Sequence, residues 1–332
     1  MDRPTRIAFF ALVAFLVVAP TVLYPVFLMK VLCFALFACA FNLLVGYVGL
    51  LSFGHAAFFG SAGYVTAYTV KMWGLPPELG ILMGMLTGAG LGLIVGWLAI
   101  RRSGIYFAMI TLALSQVVYF YALQAPWTGG EDGIQSVPRG MLFGLIDLRN
   151  PLAMYALVAT IFVLGFLLVH RVIHSPFGQV LQAIRENEPR TISLGYETAR
   201  YKLLAFVISA ALAGVAGGTK SLVFQLASLT DVQWQMSGEV VLMTLVGGMG
   251  TIFGPIIGAA VIVTMQNYLA EFGSWVNIIQ GAIFVICVLT FRRGIVGEIM
   301  NRFGGRGQKP TEIDLPPANA AAARPAQPAT GN

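Results

Sequence analysis

The chain has 332 residues, of which 58% are hydrophobic and only 10% charged. A soluble domain devotes about 25% of its residues to charge, so this chain cannot cover a water-facing surface, and a soluble enzyme, a disordered protein and a disulfide scaffold are excluded. A mean hydropathy of +0.81 and room for many spans at roughly 20 residues each leave an all-α, polytopic helical membrane protein.

In chain order, apolar runs predict ten membrane segments at approximately 7–29, 31–51, 54–70, 79–100, 104–125, 151–170, 203–223, 237–249, 252–270 and 275–291. Arg3 and Arg6 precede the first run, which continues apolar through Leu23 to Met29 without a small-residue cleavage site. It is therefore read as an uncleaved span and not as a signal peptide. Residues 237–270 suit either two full spans or a re-entrant pair of short helices. The Gly-, Ala- and Pro-rich residues 304–332 form a disordered tail, which leaves 1–303 as the transmembrane domain.

Placing the N-terminus in the cytoplasm puts 15 of the 20 Lys and Arg residues inside and 5 outside, while the 14 acidic residues divide equally. That bias fixes both termini inside. It also accounts for the net +6 as a topology signal, with no nucleic-acid partner required.

Two hydrophilic stretches interrupt the spans. Residues 126–150 lie outside and contain Thr128-Gly129-Gly130-Glu131-Asp132-Gly133. Residues 171–202 lie inside and begin with the helix-start signal Ser175-Pro176. Val180, Leu181 and Ile184 then give one apolar side, with Gln182, Arg185 and Glu186 mostly elsewhere on the wheel. Pro189 interrupts this helix, and Gly195 is a natural C-terminal stop. Such a helix either lies on the lipid interface or docks into a partner. Glu186, Glu188 and Glu197 dilute the cationic face that the interface would favour.

Glycine supplies further pattern. Gly84, Gly88, Gly92 and Gly96 recur every four residues on one helix face, where another backbone can approach closely. Gly250, Gly254 and Gly258 repeat the spacing. Gly247-Gly248-Met249-Gly250 and Gly254-Pro255 break the backbone, and broken helices border substrate pathways in transporters. Polar groups suited to such a path are Thr111, Ser115 and Gln116 in the fifth span and Ser237, Thr244 and Gly248 around the break. Each is read first as a helix-packing hydrogen bond and second as a substrate contact.

No cofactor or metal site is expected. Gly214 to Ser221 resembles a phosphate loop, but Thr219 takes the second glycine position, and Gly248 to Phe253 fails the dinucleotide pattern at its last glycine. Cys33, Cys39 and Cys287 lie in apolar runs without ligand spacing. Asp147, Asp231, Glu239 and Glu271 all fall near outer ends of spans, as interfacial, solvated carboxylates. His55, near the inner end of the third span, is read as an interfacial histidine ahead of a proton relay. This poverty of intramembrane charge argues against an ion-coupled carrier and for energy supplied by another subunit.

Several of these residues match a known family. Phe177-Gly178-Gln179 with Ala183-Ile184-Arg185-Glu186-Asn187-Glu188-Pro189-Arg190 and Ser193-Leu194-Gly195-Tyr196 resembles the cytoplasmic coupling segment of branched-chain amino acid ABC importer permeases of the LivM type. Leu51 to Gly60, Thr128 to Gly133, Arg200 to Phe206, Ser209 to Gly214 and Gly247 to Pro255 are similar to that family as well, in the expected order. The resemblance implies a homologous second permease subunit, two cytoplasmic ATP-binding subunits, and a periplasmic substrate-binding protein. The setting would be the bacterial inner membrane. It assigns ATPase coupling to Ala183, Ile184, Arg185, Glu186 and Gly195, with His55, Thr111, Ser115, Gln116, Thr244 and Gly248 as candidates for the translocation path. No Ile-x-Leu-Pro element follows Gly195, which favours the branched-chain class over the maltose class. Hydrophobic amino acids are the implied cargo. Amides and urea, or an ion-coupled carrier or channel of another class, stay open.

Overall fold

The computed structural model describes residues 3–269, 281–282, 285 and 294–303. The tenth expected segment, 275–291, lies outside the described residues except at 281–282 and 285; Glu271 and the tail 304–332 also lie outside them.

Helix dominates, because in lipid each backbone N–H and C=O must find its partner within the segment. The helices are α1 (Arg3–Val22), α2 (Pro25–Asn42), α3 (His55–Met72), α4 (Pro77–Ala99), α5 (Ile105–Gln124), α6 (Pro151–Ile173), α7 (Pro176–Glu186), α8 (Glu188–Ser193), α9 (Thr198–Phe224), α10 (Trp234–Gly247), α11 (Gly254–Leu269) and α12 (Gly294–Phe303). A π-helical turn, Leu43–Val48, continues α2. Among the described residues, five helical stretches are long and apolar enough to cross a membrane: Pro25–Val48, Pro77–Ala99, Ile105–Gln124, Pro151–Ile173 and Thr198–Phe224. Helix α10, with 14 residues, falls short of the roughly 20 that a full crossing needs; α11 is described over 16 residues, up to Leu269.

Proline sets several starts. Pro25, Pro77, Pro151 and Pro176 all occupy the first turn of their helices, where a missing N–H costs nothing. This corrects the first boundary. The expected span 7–29 ends instead at Val22, and α2 begins at Pro25 after Tyr24 turns extended. A residue before proline is driven out of the helical region, and unbroken apolarity masks that break.

The described residues up to Glu298 form one compact unit. Its centre is α2, buried along nearly its whole length and packed by α6, α9, α10 and α11. Helices α3, α4 and α9 form a second tight group. Gly84, Gly88, Gly92 and Gly96 are all buried there; a Cβ on Gly88 would stand 2.6 Å from the Ala210 carbonyl oxygen, and one on Gly96 2.9 Å from Phe206 and Leu203. Gly214 and Gly217 face Gly84 and Phe59 from within α9, so the stretch resembling a phosphate loop is a helix-packing face. Gly250 does not share the face of Gly254 and Gly258. It precedes α11 with φ +75°, in a linker that no regular helix accommodates.

Short strands β1 (Ile134–Gln135), β2 (Met141–Leu142), β3 (Ile146–Asp147) and β4 (Leu226–Ala227) organise one end of the bundle. β2 and β3 form a hairpin, and β1 pairs antiparallel with β4, matching Ile134 to Ala227. The 126–150 stretch is thereby tied to the end of α9. Lys71 adds a bond from α3, its Nζ donating to the Gln135 carbonyl at 2.7 Å.

Candidate functional site

At the other end, α7 and α8 interrupt the membrane helices. The Ser175 hydroxyl caps α7 by accepting from the Gly178 N–H at 3.3 Å. Leu181 and Ile184 are buried while Gln182, Ala183, Arg185 and Glu186 are exposed, so one face of α7 sits on the bundle and the other is open. The helix ends at Asn187, two residues before the expected break at Pro189. Asn187 takes an extended conformation and its Oδ1 accepts from the Arg190 N–H at 3.0 Å. That cap starts α8, where Pro189 fits the first turn. Gly195 follows with φ +89° and open space around any added Cβ. Glu188 fastens the segment to α9, accepting from Lys202 Nζ at 2.5 Å and from Thr198 Oγ1 at 3.1 Å.

Arg185 joins α7 to the core. Its guanidinium donates to the Gly46 carbonyl oxygen within the π-helical turn, and its aliphatic stem covers Gly49, where a Cβ would lie 3.1 Å from Arg185 Cγ. π-Helical turns displace the regular i→i−4 ladder and free backbone groups for other partners. Next to it, Asn42 clamps the break between α10 and α11: Oδ1 accepts from the Gly250 N–H at 3.0 Å, and Nδ2 donates to the Thr251 carbonyl at 2.9 Å. Gly46 permits the approach, since a Cβ there would stand 2.7 Å from Gly250 N. A cavity of about 460 Å³ opens at this junction between Gly46, Tyr47, Gln182, Arg185, Glu186 and Gly250. One continuous path of contacts thus runs from α7 through the π turn to the broken pair. Asn42 and Gly46 were missed from sequence; the available signal was a lone amide inside the run Pro25–Val48, where an unpaired polar group is costly.

The start of α3 makes a second polar node. The Phe53 N–H donates to Thr111 Oγ1 at 3.2 Å, the Gly54 N–H to Ser52 Oγ at 3.2 Å, and the Ala56 N–H to Ser237 Oγ at 2.9 Å. The Gly54 and Ala56 donors are among those left unpaired at any helix start; Ser52 of the preceding loop and Ser237 of α10 satisfy them, while Thr111 of α5 holds the loop itself. His55 is fully buried in the protein, with Phe41, Phe58 and Phe206 enclosing its ring at centroid distances of 5.1–5.8 Å. Ser209 Oγ donates to the Ala40 carbonyl at 2.5 Å, so it must accept from His55 Nε2 at 2.9 Å. That assigns the proton to Nε2.

The remaining path candidates separate. Thr111 and Ser115 are buried on one stripe of α5, and Gln116 is half-buried beside it. Thr244 is buried on α10 and bonds back to the Val240 and Val241 carbonyls. Gly248 ends α10 at φ +117° and accepts from Thr251 Oγ1 at 2.7 Å. Asp231 corrects another expectation. It is buried and paired with Lys220, whose Nζ also lies 5.7–5.9 Å from the Phe34, Phe59 and Phe224 ring centres. The 229–231 turn folds back against α3, which carries the carboxylate inward from the apparent span end. Among the described residues no group of three His, Cys, Asp or Glu could hold a metal.

Comparison with known proteins bears on most of the chain. A family model described as a branched-chain amino acid transport system permease component matches residues 25–288. The high-affinity branched-chain amino acid transport system permease protein LivM of Salmonella typhimurium is 27% identical over 278 residues, covering 77% of this chain and 65% of that protein. LivM of Escherichia coli K12 gives the same identity and coverage. The autoinducer 2 import system permease protein LsrC of Salmonella paratyphi B is 26% identical over 220 residues, covering 64% of this chain and 60% of that protein. The chain therefore spans about two thirds, or slightly less, of the length of these relatives. No solved structure matches it.

Proposed function

The chain belongs to the branched-chain amino acid transport permease family, and from that premise we propose that it is one membrane subunit of an ATP-driven importer of hydrophobic amino acids. In this reading it crosses the bacterial inner membrane about ten times with both termini in the cytoplasm. It pairs with a second, homologous permease subunit, takes its energy from two cytoplasmic ATP-binding subunits, and receives cargo from a periplasmic binding protein.

The observation that carries the proposal is the mechanical line from α7 to the broken helices. An ATP-binding subunit seated on the open face of α7 (Ala183, Glu186 and the neighbouring Gly195 turn) would push a helix that is held through Arg185 to Gly46. Asn42 would pass the displacement to Gly250 and Thr251, where α10 and α11 are joined by flexible glycines and not by helix. Glu188 and Lys202 would carry the same motion into α9. Broken membrane helices beside a path are where alternating access is built in other transporters.

The test is reconstitution. The chain, co-expressed with its candidate permease partner and ATP-binding subunits and supplied with the binding protein, is expected to co-purify with them and to drive ATP-dependent uptake of labelled leucine into proteoliposomes. Uptake that requires an ion gradient and no ATP would support a carrier instead, and uptake of urea or an amide with no leucine transport would replace the cargo.

A further inference from the structure

We propose that the open stripe of α10 lines a wet cargo path and that Glu239 on it receives the ammonium group of a hydrophobic amino acid; this rests on the importer reading above. From the strand end of the bundle toward the break, the stripe is Gln235, Gly238, Glu239, Leu242 and Leu245, spaced by three and four residues on one helix face. All five are exposed or half-buried, while Ser237, Val240, Met243 and Thr244 are buried on the other side of the helix. A Cβ added to Gly238 would meet nothing within 4 Å.

Glu239 supplies the chemistry. Gln266 Nε2, on α11, donates to Glu239 Oε2 at 3.0 Å and holds the side chain at the seam of the two helices. Among the described residues, neither Glu239 nor Lys30 of α2 forms a salt bridge. Both are half-buried, and the charge of each acts on the other. Lys220 and Asp231, whose charges also reach Glu239, are paired with each other. Opposite charges are thus held near one another with a gap between them. A zwitterion carries the complementary pair: its ammonium meets Glu239 and its carboxylate meets Lys30, while the branched side chain lies along Leu242 and Leu245.

The same charges decide what covers the stripe. Tyr24, Trp234 and Tyr268 are exposed at the strand ends of α2, α10 and α11, and such aromatic residues mark the headgroup level. Lys30 lies six residues along from Tyr24, and Glu239 five along from Trp234, which at 1.5 Å per residue puts both about 7–9 Å deeper. A lysine there can snorkel to the headgroups. A glutamate tied to the neighbouring helix cannot, and a carboxylate facing hydrocarbon is costly. A dry contact with another subunit would bury two opposite charges without a bond between them, which is costly as well. Water removes both penalties, and non-helical backbone of the kind that ends α10 is tolerated in a membrane beside a wet cavity.

The experiment uses the whole complex in proteoliposomes, with the three cysteines of this chain replaced by alanine. Gly238→Cys is expected to react with a cationic, membrane-impermeant methanethiosulfonate reagent present on both sides, and excess leucine during turnover should slow the reaction. Glu239→Gln keeps the shape and an acceptor for Gln266 but loses the charge. It should cut ATP-dependent leucine uptake about tenfold or more, the scale of a hydrogen bond to a charged group, and Glu239→Asp should restore most of the rate. Uptake by Glu239→Gln equal to the parent, or equal loss in the Gln and Asp variants, overturns the inference and leaves the importer reading standing. Should Glu239→Gln fail to assemble, the label at 238 decides. Reaction in the isolated chain but not in the complex assigns the stripe to a subunit contact, reaction with a lipid-soluble maleimide alone assigns it to lipid, and either result overturns the inference. Absence of ATP-dependent leucine uptake in the unaltered complex would instead defeat the function on which the inference rests.

Discussion

Asn42 and Gly46 show how much a single side chain, or its absence, can carry in a dry interior. Asn42 occupies the backbone donor of Gly250 and the backbone acceptor of Thr251 at once, and both groups belong to a linker without helical bonds of its own. Asn42→Leu keeps the volume and removes both partners. Each backbone group left unpaired costs about 1–3 kcal/mol, so a clear fall in the thermal midpoint of the purified chain is expected. ATP hydrolysis by the assembled complex should persist while coupled uptake falls. Gly46→Ala acts on the same junction by contact: its methyl would stand 2.7–2.9 Å from Gly250 backbone atoms, which have no rotamer through which to yield. Uptake is expected to drop in that variant too, and uptake equal to the parent chain in both would remove this junction from the coupling path. Neither residue announced itself in sequence. The partners of Asn42 lie 208 and 209 positions away, and no local period joins them.

Among the elements, α4 separates packing from mere composition. Its four-residue glycine series was legible because small residues on one helix face allow close approach in lipid. All four of those glycines are buried, whereas Gly90, in the same helix, is exposed and would meet nothing within 4 Å of an added Cβ. Gly88→Leu should therefore split α4 from α9 and α3, seen as loss of a monodisperse peak on size-exclusion chromatography in detergent. Gly90→Ala should keep the peak and raise the thermal midpoint, since alanine favours an interior helical position by about 1 kcal/mol over glycine. Equal behaviour of the two variants would show that the face does not matter. Helix α7 was legible for a similar reason: Ser175-Pro176 and the spacing of Leu181 and Ile184 encode its start and its buried side. Its end was not, because Asn187 caps the next helix by a side-chain bond that competes with the stronger textual signal of Pro189.

For the molecule as a whole, composition gives the membrane and the basic residues give an orientation, but depth is harder to read. The position of Asp231 near the outer end of a span suggests an interfacial, solvated carboxylate, yet the chain returns and seats it on Lys220 among aromatic rings. Such a buried pair is costly to break from one side, and the Lys220 ammonium compensates the carboxylate in that position. Orientation itself is open to direct measurement. Cys33 and Cys39 are buried, so a chain with its three cysteines replaced by alanine is a suitable background for single labels. Asp132 is exposed in the stretch tied to β4, and Gln179 is exposed on α7; α6 lies between them and is long enough to cross a bilayer. If lysine and arginine set the topology by their cytoplasmic excess, Asp132→Cys reacts with a membrane-impermeant maleimide in spheroplasts. Gln179→Cys then reacts only after the membrane is opened. The opposite pattern would invert the molecule and place α7 beyond the reach of any cytoplasmic ATP-binding subunit. Labelling of both sites from one side would mean that α6 does not cross, and the charge bias would then have another cause.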